Sequence, residues 1–478
     1  MSDKIPRYIT TTLPYVNDEP HIGHALEFIQ ADALARYWRL LGHDVFFNTG
    51  TDEHGQKIAQ KADSQHETRQ AYVDRFALRF NTLRESLNLS YDAFIRTTDP
   101  KHVAACQEIW RRCDAKGDIY KKTYIGLYCV GCELFYKENE LDENKCCLTH
   151  QKPVEEVEEE NYFFKLSNYQ SQLESYLRDE TRTLPGWQRK WALDFVIGGL
   201  DDLSISRHTS RMDWGIPVPG DAEHVMYVWF DALTNYISTL GWPDEAGDFK
   251  KFWRDGETLQ MAGKDQVRFQ SIIFQAMLLS ADLPQTDTIV YHGFINSGGL
   301  KMSKSLGNVI SPYALVEKYG LDATRYILLR HVHPTDDSDL TWERMDEWYT
   351  ANLVNGLGNL VARVMKMAES HLDLPIEHPR AISFPTEYIE AFAAYNLQSA
   401  TEYIWSKIGL LDERIAVEQP FKLIKEDAPK AQAIIRELVT ELYVVARLIQ
   451  PCMPETSTII KNAILENKKP TNLFGRLE

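Results

Sequence analysis

No stretch of this 478-residue chain approaches the ~18 uninterrupted apolar residues of a membrane-spanning helix, which excludes an integral helical membrane protein. The first residues, Met1-Ser2-Asp3-Lys4-Ile5-Pro6-Arg7-Tyr8, contain no apolar signal core. A cytoplasmic setting without a membrane partner is therefore expected. Positive charge is in short supply: 52 Lys and Arg stand against 69 Asp and Glu, a formal net charge of −17. That argues against nonspecific nucleic-acid binding, which needs local positive potential, but not against a specific RNA met through local basic patches. Much of the acidity is concentrated in Glu155-Glu156-Val157-Glu158-Glu159-Glu160, a run expected to form a solvated face. Cysteine is scarce as well. There are seven, an odd number, and four of them crowd between Cys129 and Cys147. This pattern argues against a disulfide framework and for metal. Internal repeats and low-complexity tracts are absent, so a repeat architecture is excluded.

What is present is a folded, multi-domain pattern. The length suggests about two to four domains of roughly 100–200 residues each, and aromatic residues are plentiful. Arg7-Tyr8-Ile9-Thr10-Thr11-Thr12-Leu13 is rich in β-branched and aromatic residues and predicts a strand. A turn follows from Pro14 to Pro20. From His21 to Leu41 the apolar positions Leu26, Ile29, Ala33, Tyr37 and Leu40 recur at helical spacing, and Gly42 ends the run. Asp44 to Thr49 predicts a second strand. Strand, helix and strand in so short a span make a βαβ unit, hence an α/β fold with a doubly wound, Rossmann-like parallel sheet. The alternation lapses between about Tyr120 and Arg207, which reads as an insertion. It resumes with Val225–Phe230, Thr258–Met261 and Ile289–His292, expected as further strands of the same sheet. After about Asp337 long helical patterns dominate (Ala351 to Met367, Tyr388 to Leu411, Ala431 to Ile449), and an all-α bundle is expected. The expected division is a first catalytic half over 1–119, an insertion over 120–207, a second catalytic half over 208–337 and a helical domain over 338–478.

Three groups of residues carry chemistry. His21 and His24 share one face of a predicted first helical turn, where unpaired N–H groups and the helix dipole favour anions. Gly23 between them lets a flat base or ribose approach the backbone. Imidazole N–H donors there can stabilise charge that builds on a phosphate. The stretch Asn296-Ser297-Gly298-Gly299-Leu300-Lys301-Met302-Ser303-Lys304-Ser305-Leu306-Gly307-Asn308 reads as a mobile basic loop, and such loops complete a site when substrate binds. Lys301 and Lys304 can reach the β- and γ-phosphates of a leaving pyrophosphate. Cys129-Val130-Gly131-Cys132 and Cys147-Leu148-Thr149-His150 form two Cys/His pairs that suit tetrahedral, structural zinc. Cys146 directly precedes Cys147, which leaves the third ligand open. The acidic surroundings argue against a redox Cys-x-x-Cys.

The tetrad His21-Ile22-Gly23-His24 and the pentad Lys301-Met302-Ser303-Lys304-Ser305 together resemble the class I aminoacyl-tRNA synthetases. Thr12-Leu13-Pro14-Tyr15, Gly50-Thr51-Asp52-Glu53-His54-Gly55, Asp213 to Pro219, Tyr227-Val228-Trp229-Phe230-Asp231-Ala232 and Gly263-Lys264-Asp265 are similar, in order, to the methionyl-tRNA synthetase pattern. The resemblance covers essentially the whole chain. The span from His24 to Lys301 leaves room only for a small insertion, unlike the large editing insertions of the relatives specific for Leu, Ile and Val. It implies ATP and Mg²⁺ as reaction partners, one structural Zn²⁺ per chain, methionine as substrate and tRNA(Met), initiator and elongator, as acceptor. It implies that Leu13, Tyr15, Trp229, Ala232, Leu233 and Tyr236 line the methionine side chain and that Asp52 holds the ammonium. Gly263 and Asp265, with Glu27, would seat the nucleoside. It favours Cys147 over Cys146 as zinc ligand, because Cys-x-x-His matches the family's knuckle.

The chain departs from the pattern in three places. The family's Phe-His pair is here Phe269-Gln270, which predicts altered tolerance of methionine analogues. Asn359 and Arg363, four apart on one helix face, match anticodon-reading positions, but the base-stacking Pro-Trp pair is here Pro420-Phe421. The Asn and Tyr a few residues earlier are Asp412 and Arg414. The sequence ends shortly after Leu473-Phe474-Gly475-Arg476 without a dimerising module, so a monomer is expected. Two other readings stay open: a class I synthetase for another small amino acid such as cysteine, and a catalytically silent RNA-binding or regulatory paralogue.

Overall fold

The computed structural model of the protein describes residues 4–130, 134–136, 138–149, 151–302, 308–376 and 383–477. The chain divides into two compact units. One comprises Met1–Pro20, His43–Thr82 and Tyr91–Tyr291; the other comprises His21–Gly42, Leu83–Ser90 and His292–Glu478.

The first unit is built on six strands: β1 (Arg7–Thr11), β2 (Val45–Thr51), β3 (Ala93–Arg96), β4 (Thr183–Leu184), β5 (Glu257–Gly263) and β6 (Thr288–His292). Their order across the sheet is β3-β2-β1-β5-β6-β4. β1 pairs in parallel with β2 on one side and β5 on the other, and the pairs β2/β3 and β6/β4 are parallel too. Such sheets bury both faces and read as unbroken apolar runs; four of the five residues of β1 are buried. From β1 the chain winds outward to β2 and β3, then returns to add β5 on the opposite side. The order thus reverses between β1 and β5, and the crevice beyond the carboxyl ends at such a switch point is where open α/β sheets bind ligands. The expected βαβ start and the strands around Thr258 and Ile289 are all present.

Two expectations need correction. Val225–Phe230 is not a strand of the central sheet. Asp221–Met226 pairs antiparallel with Ser206–His208 and Pro217–Val218 in a separate three-stranded sheet, and Val228–Ala232 is helical. A short, fully buried apolar run has the same composition in either state, so periodicity alone does not separate them. The region read as an insertion does form its own four-stranded sheet, in the order Leu134–Tyr136, Ile119–Cys129, Glu155–Phe164, Leu203–Ser204. Between its last two strands, however, the chain returns to the central sheet to supply β4. The acidic run lies on one of these strands. Glu155, Glu156, Glu158 and Glu160 are exposed while Val157 is buried, and Arg211 pairs with Glu155 at 3.1 Å and Glu159 at 3.3 Å.

The second unit is mostly helical. The helix Ile22–Leu40 is closed by Gly42 at a φ of 82°. Helices Asn359–His371, Leu397–Glu418, Ala428–Leu448 and Pro454–Leu465 form the expected bundle, with Ala428–Leu448 in contact with the other three. The helical pattern from Tyr388 to Leu411 is interrupted. One helix ends at Ala393, Tyr395 turns left-handed at a φ of 57°, and the Asn396 side chain caps the next helix by accepting the Ser399 N–H at 2.9 Å. Arg325, fully buried, locks this unit together. Its guanidinium pairs with Asp32 at 2.7 Å and donates to the carbonyls of Cys452, Leu87 and Pro451 at 2.8, 3.0 and 3.1 Å. Burial pushes the Asp32 carboxyl upward, but Arg325 and then Arg36 outweigh it and hold it below the usual range. Among the described residues, no helix is long and apolar enough to cross a membrane.

Candidate active site

His21 is the N-cap of the helix Ile22–Leu40, and the two histidines cap it reciprocally. His21 Nδ1 accepts the Gly23 N–H at 3.1 Å, and His24 Nδ1 accepts the His21 N–H at 3.3 Å. The rings stack with centroids 3.7 Å apart at 17°. With both Nδ1 atoms acting as acceptors, the neutral rings must carry their protons on Nε2. Protonating Nδ1 would break a cap. Burial holds the His24 pKa well below the ordinary value, and the nearby His21 and His292 imidazoles act in the same direction. His24 is thus held as a neutral Nε2–H donor, and the cap gives His21 the same tautomer. No acidic residue occupies the first turn to weaken the positive end of the helix dipole. Gly23 serves this arrangement, since a Cβ there would sit 3.0 Å from the His21 ring.

The helix start is anchored from far away in sequence: the Ile22 N–H donates to the Ile310 carbonyl at 3.1 Å. Ile310 lies just past the lysine loop. The near end of that loop is a tight hairpin rather than the expected flexible stretch. Ile295–Ser297 pairs antiparallel with Leu300–Lys301, and Gly298 and Gly299 turn between them at φ values of 64° and 73°. Two successive residues at positive φ make the turn that matches strand twist, and glycine adopts it without strain. Asp339 accepts the Gly299 N–H at 2.7 Å and so holds the turn. Lys301 ends this hairpin; its side chain and the whole of Lys304 lie outside the described residues. The His21–His24 stretch and the hairpin ending at Lys301 belong to the same compact unit.

Sequence reasoning missed His292. Its Nε2 lies 3.0 Å from Glu27 Oε2 and its Nδ1 lies 2.8 Å from the Gly293 carbonyl, in a buried setting. Facing a carboxylate and a carbonyl together requires a proton on both nitrogens, or one on Glu27. The available signal was its position at the carboxyl end of a predicted strand.

The predicted amino-acid pocket lies in the other unit, at the carboxyl ends of β1, β2 and β5. Tyr15 and Asp52 form a parallel bridge; Val16 N–H donates to the Asp52 carbonyl at 3.1 Å and Asp52 N–H to Pro14 at 2.9 Å. These bonds hold Leu13–Tyr15 beside Asp52. Trp229, Ala232, Leu233 and Tyr236 come from the short helices Val228–Ala232 and Asn235–Ser238 and the turn between them. Trp229 stacks on Phe269, centroids 3.8 Å apart at 15°. Phe269 was not among the predicted lining residues, although it adjoins Gln270. Gln270 is buried and donates through Nε2 to the Tyr236 hydroxyl at 2.7 Å. Gly263 ends β5 beside the switch point, and the exposed Asp265 accepts from Gln266 Nε2 at 3.0 Å.

The cysteine cluster distinguishes its members. Cys129 and Cys147 are 3% and 0% exposed. Cys146 is more open, with its thiol 3.7 Å from the Asn144 carbonyl of its own loop. Cys147 sits in a tight turn: its N–H donates to the Lys152 carbonyl at 3.0 Å and its carbonyl accepts the Gln151 N–H at 2.7 Å. Cys132 and His150 lie outside the described residues. Two inward thiols, one from each predicted pair, fit the donor set of a zinc knuckle.

In the helical bundle Asn359 is exposed at the start of its helix, and Arg363 pairs with Asp412 at 3.0 Å. Arg414 is held by Glu418, Glu437 and Glu441. Phe421, directly after the helix that carries Asp412, is 46% exposed. An exposed ring following a buried Pro420 is available for stacking.

The family model described as tRNA synthetases class I (M) matches residues 7–141 and 135–365. The methionine--tRNA ligase of Fusobacterium nucleatum is 39% identical over 98% of this chain and 75% of its own length. That of Mycobacterium bovis is 40% identical over 95% of this chain and 90% of its own length. The structure of Mycobacterium tuberculosis methionyl-tRNA synthetase in complex with methionyl-adenylate superposes with a TM-score of 0.89 at 38% identity, covering 99% of this chain and 98% of that one.

Proposed function

The chain belongs to the class I methionyl-tRNA synthetases, and on that premise we propose that it is a methionine–tRNA ligase acting in two steps. In the first, a methionine carboxylate oxygen attacks the α-phosphorus of ATP. The bond to the bridging oxygen breaks, and methionyl-adenylate and pyrophosphate result. In the second, a terminal ribose hydroxyl of tRNA(Met) attacks the adenylate carbonyl and AMP leaves. No enzyme nucleophile is needed, because the mixed anhydride is already activated; catalysis is positioning and electrostatics.

His21 and His24 donate Nε2–H bonds to the phosphate charge that grows during displacement. As a neutral donor His24 needs no change of protonation. Lys301 and Lys304 take the charge of the departing pyrophosphate, with Mg²⁺ accompanying the nucleotide. Gly23, Glu27, Gly263 and Asp265 seat the nucleoside. Asp52 holds the methionine ammonium by a charge-assisted bond. Leu13, Tyr15, Trp229, Ala232, Leu233, Tyr236 and Gln270 enclose the side chain, where aromatic edges suit a thioether. Asn359, Arg363 and Phe421 meet the anticodon. Cys129, Cys132, Cys147 and His150 hold a structural zinc that stabilises the insertion and takes no part in the reaction. The protein works as a cytoplasmic monomer, which sedimentation would contradict by finding a dimer.

One observation supports this reading most: the Ile22–Ile310 bond, which joins the start of the histidine helix to the far end of the lysine loop within one unit. The deciding experiment is ATP–pyrophosphate exchange with each amino acid in turn, followed by charging of initiator and elongator tRNA. Exchange with methionine and charging of both tRNAs is expected. A strong response to another amino acid such as cysteine would overturn the assignment, and tRNA binding without any adenylate would favour a silent paralogue. Gln270 alters analogue tolerance; selenomethionine and ethionine kinetics identical in wild type and Gln270→His would refute that part.

A further inference from the structure

Three separate stretches line the pocket: Leu13–Tyr15 with Asp52, Trp229–Tyr236, and Phe269–Gln270. The second and third are joined directly, by the Trp229–Phe269 stack and the Gln270–Tyr236 hydrogen bond. The first and second are joined through a carboxylate that no motif-level reading singles out, Asp231. It is fully buried. Oδ2 accepts from His54 Nδ1 at 2.6 Å, and Oδ1 accepts from His102 Nε2 at 2.8 Å. His102, also fully buried, is braced by Ser238 Oγ at 2.8 Å from Nδ1 and by the Cys106 thiol at 3.2 Å from Nε2. A neutral tie runs alongside, from Asn48 Nδ2 to Asn235 Oδ1 at 3.3 Å.

Among the described residues, neither Lys nor Arg pairs with Asp231; its carboxylate is met by the two imidazoles and, at 3.8 Å from Oδ1, by the Cys106 thiol. Burial raises its carboxyl pKa, but the His54 charge and the bonds from both rings outweigh this and hold it below the ordinary value. His54 is fixed on its other side as well. It meets the Trp214 ring edge-on at 5.5 Å, while Trp214 Nε1 donates to the Glu53 carbonyl at 2.6 Å and the Trp214 carbonyl accepts the Gly55 N–H at 3.0 Å. His54 stands two residues after Asp52. Asp231 stands two after Trp229 and one before Ala232. The 2.6 Å bond between them is a short strut from the carboxylate end of the pocket to its aromatic wall.

We propose that Asp231 is a positioning residue for methionine: through His54 it sets the separation between the ammonium-holding Asp52 and the thioether-holding wall of Trp229, Ala232 and Tyr236. The proposal rests on the reading that this pocket takes methionine. Methionine is gripped at both ends, so a loosened strut weakens its binding. A ligand gripped only by the wall does not register the separation.

The test is exchange kinetics on the full-length protein. Asp231→Asn and His54→Ala are expected to raise the methionine KM about 10- to 100-fold, the effect of losing a charge-assisted hydrogen bond. The ATP KM and kcat should change by no more than about twofold. His54→Asn returns an N–H donor near the position of Nδ1 and should recover most of the loss. The competitive inhibition constant of 4-(methylthio)butanoate, a thioether acid without the amino group, should stay near its wild-type value in all three variants. A methionine KM unchanged in Asp231→Asn and His54→Ala would overturn the proposal. So would a parallel loss of methionine and 4-(methylthio)butanoate binding, which would mean collapse of the wall. If Asp231→Asn fails to fold, the two His54 variants decide. A wild-type protein without methionine-dependent exchange would remove the ligase reading itself, a result separate from either of these.

Discussion

His24 combines two jobs that substitution can separate. Its Nδ1 accepts the His21 N–H at 3.3 Å, and its Nε2 carries the donor proton. Asparagine places an oxygen near the Nδ1 position but has nothing at Nε2. Glutamine places an N–H near Nε2 but gives up the cap. His24→Asn should therefore keep the fold and lose the phosphate contact. Removing one preorganised donor to a developing oxyanion costs about 2.7–4 kcal/mol, so kcat for exchange should fall roughly 100- to 1,000-fold. His24→Gln should retain more activity but lose about 1 kcal/mol of stability, the usual value of a helix cap. His24→Ala should show both losses. The assay is pyrophosphate exchange at saturating methionine, paired with urea denaturation. Because the His24 pKa is held well below the ordinary imidazole value, the sign of the pH effect is fixed. The native protein favours the neutral ring, so this contribution to stability is complete above the unfolded value near 6.5. It declines as pH falls below that value toward the lowered folded one. Exchange should accordingly show no loss from deprotonation of His24 on raising the pH from about 6.5 to 8. A His24→Asn enzyme within a few-fold of wild type, or a kcat that falls with an imidazole pKa in that range, would refute the reasoning.

Other outcomes follow from the same geometry. Cys147→Ser should abolish zinc binding measured by atomic absorption, whereas Cys146→Ser should retain one zinc per chain, because only Cys147 is turned inward. Arg325→Leu removes one of the two guanidinium partners of Asp32 and the donors to the Cys452, Leu87 and Pro451 carbonyls, and should cost about 3–5 kcal/mol by urea denaturation. The Asp32 carboxyl is depressed, so the stability it contributes in the wild type is present above its unfolded value and is lost as pH falls through the folded one. Phe421→Ala should lower kcat/KM for charging tRNA(Met) by the equivalent of about 1–3 kcal/mol, the value of one stacked base, with pyrophosphate exchange unchanged.

Much of the fold was legible because its signals are local. The β-branched run at Arg7, the helical period from His21 and the glycine at 42 each act within a few residues, and all three elements formed as expected. The strand expected at Val225 to Phe230 failed for the opposite reason. Its apolar residues record burial, while the choice between strand and helix was made by the antiparallel partners at Ser206–His208 and by the helical turn after Tyr227. β4 is only two residues long, too short to carry a period, and is defined by its pairing with Ile289 and Val290. The site divides in the same way. The histidine pair was visible as a motif, but its tautomer depends on which backbone N–H each Nδ1 meets. Cys146 and Cys147 are chemically identical neighbours in sequence and differ only in the direction the turn gives them. His292 and Asp231 act through partners more than a hundred residues away, so no spacing rule points to those pairings.

The central claim is that the imidazoles at the start of the Ile22–Leu40 helix and the amines of the lysine loop act on one triphosphate. A crystal structure of the protein with a nonhydrolysable ATP analogue and methionine tests it most directly. The account predicts Nε2 of His21 and His24 and the amines of Lys301 and Lys304 within about 3.5 Å of phosphate oxygens. A nucleotide whose phosphates lie away from the histidines, with the lysines directed elsewhere, would contradict it.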